Sequence, residues 1–182
     1  KVILYLFSTS WGEALTITGA LLLGYPLPLL PAQIIWLNFV TDGFLDVALA
    51  MEPKEVGLLR GNFERPKKYL VDKLIAQRMF IMAVPMMVGT LFLFRGYLPA
   101  EAPARPAGGS AQAGFDIDMV KAWTISLTTL AVFQWFNAWN CRHESKSIFQ
   151  MNPFSNKFLV GATLIVISLQ LLVVYNPLMQ KL

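Results

Sequence analysis

Two acids stand in stretches of sequence where an ionised side chain is costly. Glu13 lies in an apolar run over 2–23 and Asp42 in another over 31–50. At the centre of a bilayer a charged residue costs about 2.5–3.5 kcal/mol on insertion scales, so each acid calls for a function or a partner. Around Glu13, Thr9, Ser10 and Thr16 fall three or four residues away, on the same helical face, and Asn38 falls four residues before Asp42. Thr41 adds a hydroxyl beside Asp42. Carboxylate, amide and hydroxyl oxygens together suit a hard cation such as Ca²⁺, which takes about six to eight oxygen ligands. Soft metals do not fit, because neither run contains Cys or His. Taken singly, each Thr or Ser serves equally well as hydrogen-bonding glue between helices. The pair of acids is what points to an ion.

Further polar groups extend the set. Gly43 follows Asp42 directly, where a weakened helix would let backbone carbonyls turn toward an ion, as in the interrupted helices of transporters, or where it would simply permit close helix packing. Gln134 and Asn137 are three residues apart and share one face of a later apolar run. Asp46, one turn beyond Asp42, reads either as an acid at a cytoplasmic entrance or as an interfacial residue. Asn140 and the neighbouring tryptophans read as interfacial anchors. The lone Cys141 excludes an internal disulfide and reads as a small apolar filler.

The elements that must hold these residues are membrane helices. Hydrophobic residues make up 55% of the chain and charged ones only 14%, crowded between the apolar runs; a soluble domain would spread its charges over every surface helix. A spanning helix needs about 20 residues. Five runs qualify, at roughly 2–23, 31–50, 74–96, 119–140 and 157–176, predicting an all-α, multi-spanning transmembrane bundle. The run 24–31, with prolines at 26, 28 and 31, cannot continue a helix and predicts a tight reversal that makes the first two spans a hairpin. The chain begins at Lys1 with no signal-peptide pattern before the first span, and so reads as an excerpt of a longer protein.

Orientation follows from the basic residues. Lys54, Arg60, Arg65, Lys67, Lys68 and Lys73 cluster in one connection, and Arg142, Lys146 and Lys157 in another, whereas 97–118 carries only Arg105 against three acids. The positive-inside rule predicts that 51–73 and 141–157 are cytoplasmic, with Lys1 inside and Leu182 outside. The net charge of +4 is explained by these flanks and calls for no nucleic-acid partner. The 97–118 loop, rich in Pro, Ala and Gly, is too poor in apolar bulk for a core and reads as mobile.

The segments Ser8 to Glu13, Pro31 to Gly43 and Ala48 to Pro53 resemble the fifth and sixth membrane helices of P-type calcium ATPases of the sarcoplasmic-reticulum and secretory-pathway kind, with Gln33 to Gly43 the most specific. Phe136 to Asn140 and Ser145 to Phe149 resemble the end of that family's eighth helix and the loop after it. The resemblance implies ten membrane helices in the whole pump, of which the chain holds the fifth to ninth. It also implies ATP, Mg²⁺, cytoplasmic domains and N-terminal membrane helices beyond these residues, since the phosphorylated Asp-Lys-Thr-Gly motif is absent from them.

By the same resemblance, Asn38 and Asp42 match ligands of a site shared with the fourth helix, and Glu13, Thr41 and Asp42 match ligands of a second site. Ser10 stands where the two-calcium pattern has Asn, and Gln134 where it has Glu, which leaves room for a single ion or a monovalent one. Asn38 stands where the sodium/potassium branch carries Asp. The expected function is the ion-binding half of a Ca²⁺ pump working by alternating access. The alternatives are a P-type pump for Na⁺, H⁺ or Mn²⁺, or a non-catalytic membrane module. The charge asymmetry predicts that a cysteine introduced within 100–112 is labelled from outside and one within 60–68 only from inside; labelling of both from one side refutes the five-span arrangement.

Overall fold

In the computed structural model, residues 1–53, 73–98, 117–143 and 152–176 are described. The basic residues at 54–68, most of the 97–118 loop and the Ser145–Phe149 segment lie outside them. Among the described residues there are five long helices and no strand: α1 (Val2–Leu22), α2 (Pro31–Ala50), α3 (Lys73–Tyr97), α4 (Ile117–Asn140) and α5 (Lys157–Tyr175). Each falls within two residues of an expected run. Three of them, α2, α3 from Ile75 and α5, are apolar enough along their length to cross a membrane. The other two are as long, but α1 and α4 carry the Ser, Thr, Gln and Asn residues that dilute their apolar character.

The reversal between α1 and α2 is built as the prolines require. Gly24 takes the left-handed conformation, φ 72°, open to glycine without strain, and the Tyr25 N–H returns to the Ala20 carbonyl at 2.9 Å. Pro31 occupies the first turn of α2, where its missing N–H costs nothing, and the Gln33 side chain accepts the Leu30 N–H at 3.0 Å. Trp123 of α4 donates to the Leu27 carbonyl at 2.9 Å, fastening the turn to the bundle.

The helix α2 is not uniform. Between Pro31–Trp36 and Gly43–Ala50, the six residues Leu37–Asp42 form a π-helical turn. The expected weak point at Gly43 thus lies one turn earlier and takes the form of a widened helix, a distortion found often at functional sites. Gly43 itself has ordinary helical angles, φ −57° and ψ −46°.

Close packing of small residues holds α1, α3 and α4 together. Gly12 of α1 lies under Met86, Gly19 under Leu91, and Gly89 of α3 faces the Phe133 ring of α4. Such small residues let helices approach where lipid supplies no hydrophobic drive. The lower half of α2 runs along α5, and α4 touches all four other helices. Two apolar clusters form the interior, one around Tyr5, Leu45, Leu49 and Leu159, the other around Leu37, Met86, Leu127 and Leu130.

A methyl group added at Gly89 would lie 2.7 Å from the Phe133 ring, whereas one at Gly161 would meet nothing within 4 Å. Gly89→Ala is therefore expected to destabilise the fold by about 1–3 kcal/mol and Gly161→Ala to leave it unchanged, read as thermal unfolding midpoints of the purified protein in detergent. Equal shifts would contradict the α3–α4 packing.

Candidate functional site

The two acids identified in the sequence are both buried, Glu13 at 6% and Asp42 at 2% exposure. Each is held by the neighbouring helix. Glu13 of α1 accepts at Oε2 from Asn38 Nδ2 of α2 at 2.9 Å. Asp42 of α2 accepts at Oδ1 from Tyr5 Oη of α1 at 2.7 Å, and its Oδ2 lies 3.1 Å from Thr9 Oγ1. The Thr9 hydroxyl has one proton and three acceptors in reach, since the Tyr5 and Leu6 carbonyls lie 3.1 and 3.0 Å away. Its oxygen stays beside Asp42 whichever acceptor it serves.

This exchange fixes the register of the hairpin. Glu13 pairs with Asn38 and Thr9 with Asp42, so the antiparallel helices advance four residues each per rung. The carboxylates therefore sit one helical turn apart in depth, about 6 Å along the axis, rather than side by side. On the next rung Asp46 comes level with Tyr5; it is half-buried, and its Oδ1 is buried without a hydrogen-bond partner.

From the other side, α4 supplies the amides. Gln134 is fully buried and donates through Nε2 to Glu13 Oε1 at 2.7 Å. Asn137 donates to Ser8 Oγ at 2.6 Å, and Ser8 in turn donates to the Tyr5 carbonyl at 2.8 Å. The inward face expected of Gln134 and Asn137 is thus realised, while Asn140 is exposed and Cys141 fills a buried corner.

Every hydrogen bond to the two carboxylates among the described residues comes from a neutral group: Tyr5, Thr9, Asn38 and Gln134. Gln134 Oε1 and Thr41 Oγ1 are buried without a hydrogen-bond partner, as are the hydroxyls of Thr90 and Ser126 elsewhere in the bundle. Buried polar atoms are nearly always hydrogen-bonded, so an orphan oxygen on a residue that bonds or adjoins one of the acids is a candidate ligand position. No three His, Cys, Asp or Glu side chains among the described residues are grouped to hold a metal by themselves. The donor set is instead two carboxylates joined by amide and hydroxyl oxygens, the chemistry of a hard cation.

Not every expected residue joins the cluster. Ser10 stands on the exposed side of α1. Thr16 spends its hydroxyl on the Gly12 carbonyl at 2.7 Å. Asn38 is exposed although bonded to Glu13, and Ile35 and Phe39 beside it are 67% and 81% exposed, so the site is closed on three sides and open along this face of α2. Tyr5 had no place in the sequence expectation; its i, i+4 spacing to Thr9 is the signal that could have found it.

The family model described as "Cation transporting ATPase, C-terminus" matches residues 26–182. A "Calcium-transporting ATPase" of Bacillus subtilis is 33% identical over 184 residues, 99% of this chain. "Calcium-transporting ATPase type 2C member 2" of Mus musculus is 29% identical over 96% of the chain, and "Probable cation-transporting ATPase F" of Mycobacterium bovis 27% identical over 88%. The chain spans only 18%, 17% and 16% of these three relatives.

Tyr5→Phe removes the hydroxyl that serves Asp42 and leaves the ring in place. A hydrogen bond to a charged group contributes about 1.5–3 kcal/mol, so this variant is expected to lower thermal stability in cation-free detergent by that order. An unchanged midpoint would mean that Asp42 finds its compensation elsewhere.

Proposed function

The chain belongs to the C-terminal family of cation-transporting ATPases, and on that footing we propose that it forms the ion-binding membrane half of an ATP-driven pump carrying Ca²⁺. The observation that carries the reading is the pair of buried carboxylates, Glu13 and Asp42, held by neutral donors alone among the described residues, with unpartnered oxygens on Gln134, which bonds Glu13, and on Thr41, which precedes Asp42. Two acids in a low-dielectric interior can ionise together only if positive charge joins them, which a transported cation supplies. The proposed ligands are Glu13, Asn38, Thr41, Asp42 and Gln134. Ser10 is kept as a proposed contributor only from the side that this chain leaves open.

The relatives' greater length supports the assignment of the remaining parts. The exposed face at Ile35, Asn38 and Phe39 suits a further membrane helix bringing its own ligands, and the phosphorylation and nucleotide chemistry would reside in cytoplasmic domains. ATP and Mg²⁺ act there. Alternating access would then follow from domain movements that change how tightly the Glu13 and Asp42 carboxylates hold the ion. In this reading the basic connections at 51–73 and 141–157 face the cytoplasm and the lipid bilayer surrounds the rest.

Gln134 sets the stoichiometry. A neutral amide lends an oxygen without charge, so two divalent ions would face Glu13, Asp42 and one acid from the further helix, leaving about one positive charge bare. In a buried site that costs several kcal/mol. One Ca²⁺ per cycle is the expected outcome, and Gln134→Glu should admit a second. The measurement is equilibrium ⁴⁵Ca binding to the full-length protein per phosphorylatable site, with Glu13→Gln and Asp42→Asn each weakening ion-dependent phosphorylation at least tenfold. Two ions bound cooperatively by the unaltered protein would refute the charge count. Ion dependence that survives both neutral variants would refute the site itself and leave these polar groups as hydrogen-bonding glue between helices, and dependence on Mn²⁺ or Na⁺ in place of Ca²⁺ would change the cargo alone.

A further inference from the structure

At the expected cytoplasmic end of the bundle a charged cluster is closed off from solvent. Arg142, just past the end of α4, is 1% exposed, and Glu52, just past the end of α2, is 10% exposed in its side chain. The guanidinium grips the carboxylate from two nitrogens: Nε lies 3.1 Å from each carboxylate oxygen, and Nη2 lies 2.9 Å from Oε1. Asn156, the cap of α5, donates to Glu52 Oε2 at 2.6 Å and to the Ala48 carbonyl at 3.0 Å, while its own Oδ1 accepts the Leu159 N–H. The remaining guanidinium hydrogens reach Ser155 Oγ and, at 3.4 Å, the Asn152 carbonyl. The Trp139 ring lies beneath the guanidinium, 5.2 Å from it. Three segments of chain thus end in one knot: the foot of α2, the foot of α4 and the start of α5.

The helix α2 is fastened to α5 at its other end as well, where Trp36 Nε1 donates to Gln170 Oε1 at 3.0 Å. Between these two attachments the lower half of α2 packs on α5 through Ala48, Leu159 and Ala162, and beside that contact a groove stays open. Phe39, Gly43, Phe44 and Val47 of α2 face Gly161 and Ile165 of α5 across an apolar groove of about 620 Å³. The π-helical turn with Asn38, Thr41 and Asp42 lies between the two attachments, packed on α1 and α4 on its other side. Tyr5 and Thr9 hold Asp42 from α1, and the two attachments to α5 set the course of α2 on its other side.

We propose that Arg142 is a positioning residue for the cation site: by clamping Glu52 and, through it, the foot of α2 to α5, it fixes where Asp42, Thr41 and Asn38 stand. The inference rests on the function proposed above, because it names what holds that site's ligands. An arginine suits the task, since its planar fork meets a carboxylate with two parallel bonds. Lysine would keep the charge and lose the fork. The clamp lies some ten residues along α2 from Asp42, about 15 Å, so it acts on the ligands through the helix rather than by contact.

The test uses the full-length protein with Arg142→Ala, Arg142→Lys and Glu52→Gln, the last keeping the shape of the cluster. Two quantities are read. One is ⁴⁵Ca binding, split into affinity and capacity. The other is the rate of copper-catalysed disulfide formation between Met51→Cys and Phe158→Cys, which line the same groove, on a Cys141→Ala background. Residues that couple distant sites shift affinity by about two- to thirty-fold. Arg142→Ala and Glu52→Gln are expected to weaken Ca²⁺ affinity within that range at unchanged capacity and to slow the cross-link severalfold, with Arg142→Lys in between. Gly89→Ala, which loosens α3 against α4, is the control: if it lowers affinity as much as Glu52→Gln does, general loosening accounts for the effect and the proposal fails. Unchanged affinity in Glu52→Gln and Arg142→Lys overturns it as well, even if Arg142→Ala does not accumulate. If the unaltered protein binds no Ca²⁺, the functional reading falls by itself, and the cross-link still decides whether the clamp holds α2, an unchanged rate refuting it.

Discussion

The reciprocal exchange of hydrogen bonds between α1 and α2 is the constraint on which the rest depends. Each helix buries an acid, and each acid is solvated by the other helix: Glu13 by Asn38, Asp42 by Tyr5 and Thr9. A carboxylate taken from water keeps its charge only where donors replace the water. Separating the hairpin would strip both acids at once, so the bonds that prepare the site also set helix register. The central position of α4 follows from the same requirement, because Gln134 and Asn137 must reach Glu13 and Ser8 from a third direction.

Neutral donors solvate the acids without discharging them. Had an arginine stood at Gln134, the cluster would be a closed ion pair with no call for a cation. Charge was instead placed at the far end, where Arg142 and Glu52 satisfy each other. The interior is thus divided into a charge-balanced knot at one end and, around Glu13 and Asp42, a pocket without a balancing charge among the described residues, to which the proposed function assigns the cation. Breaking a buried pair by removing one partner costs about 3–5 kcal/mol, a strong reason for the knot to stay shut.

Much of this was legible in the sequence, for reasons particular to each element. The five helical runs follow from length and apolarity, the hairpin from prolines 26, 28 and 31, and the acid pair from the cost of charge in an apolar run. Gln134 and Asn137 share a face because they lie three residues apart. What escaped were relations between chains of residues distant in sequence. The depth of Glu13 relative to Asp42 depends on hairpin register, which the span boundaries did not fix to within a turn. Ser10 was grouped with Glu13 by spacing and by the resemblance, and a helical face three residues wide does not say which edge meets a neighbour within this chain. Arg142 was counted among the basic residues that orient the chain; counting registers a charge but not the Glu52 ninety positions earlier that buries it.

The π-helical turn has a consequence for rotational phase. An α-helix advances about 100° per residue, so Trp36 and Ala48, twelve residues apart, would differ by about 120° in heading along a regular helix. One would then face α5 and the other away from it. A π turn takes up an extra residue, and cancels about 100° of that difference. Both attachments, Trp36 to Gln170 and Ala48 to Asn156, can then lie along one side of α2 and meet the same partner helix. The widened turn is in this sense a phase correction: without it, a helix could present its acid to α1 or keep both ends on α5, but not do both.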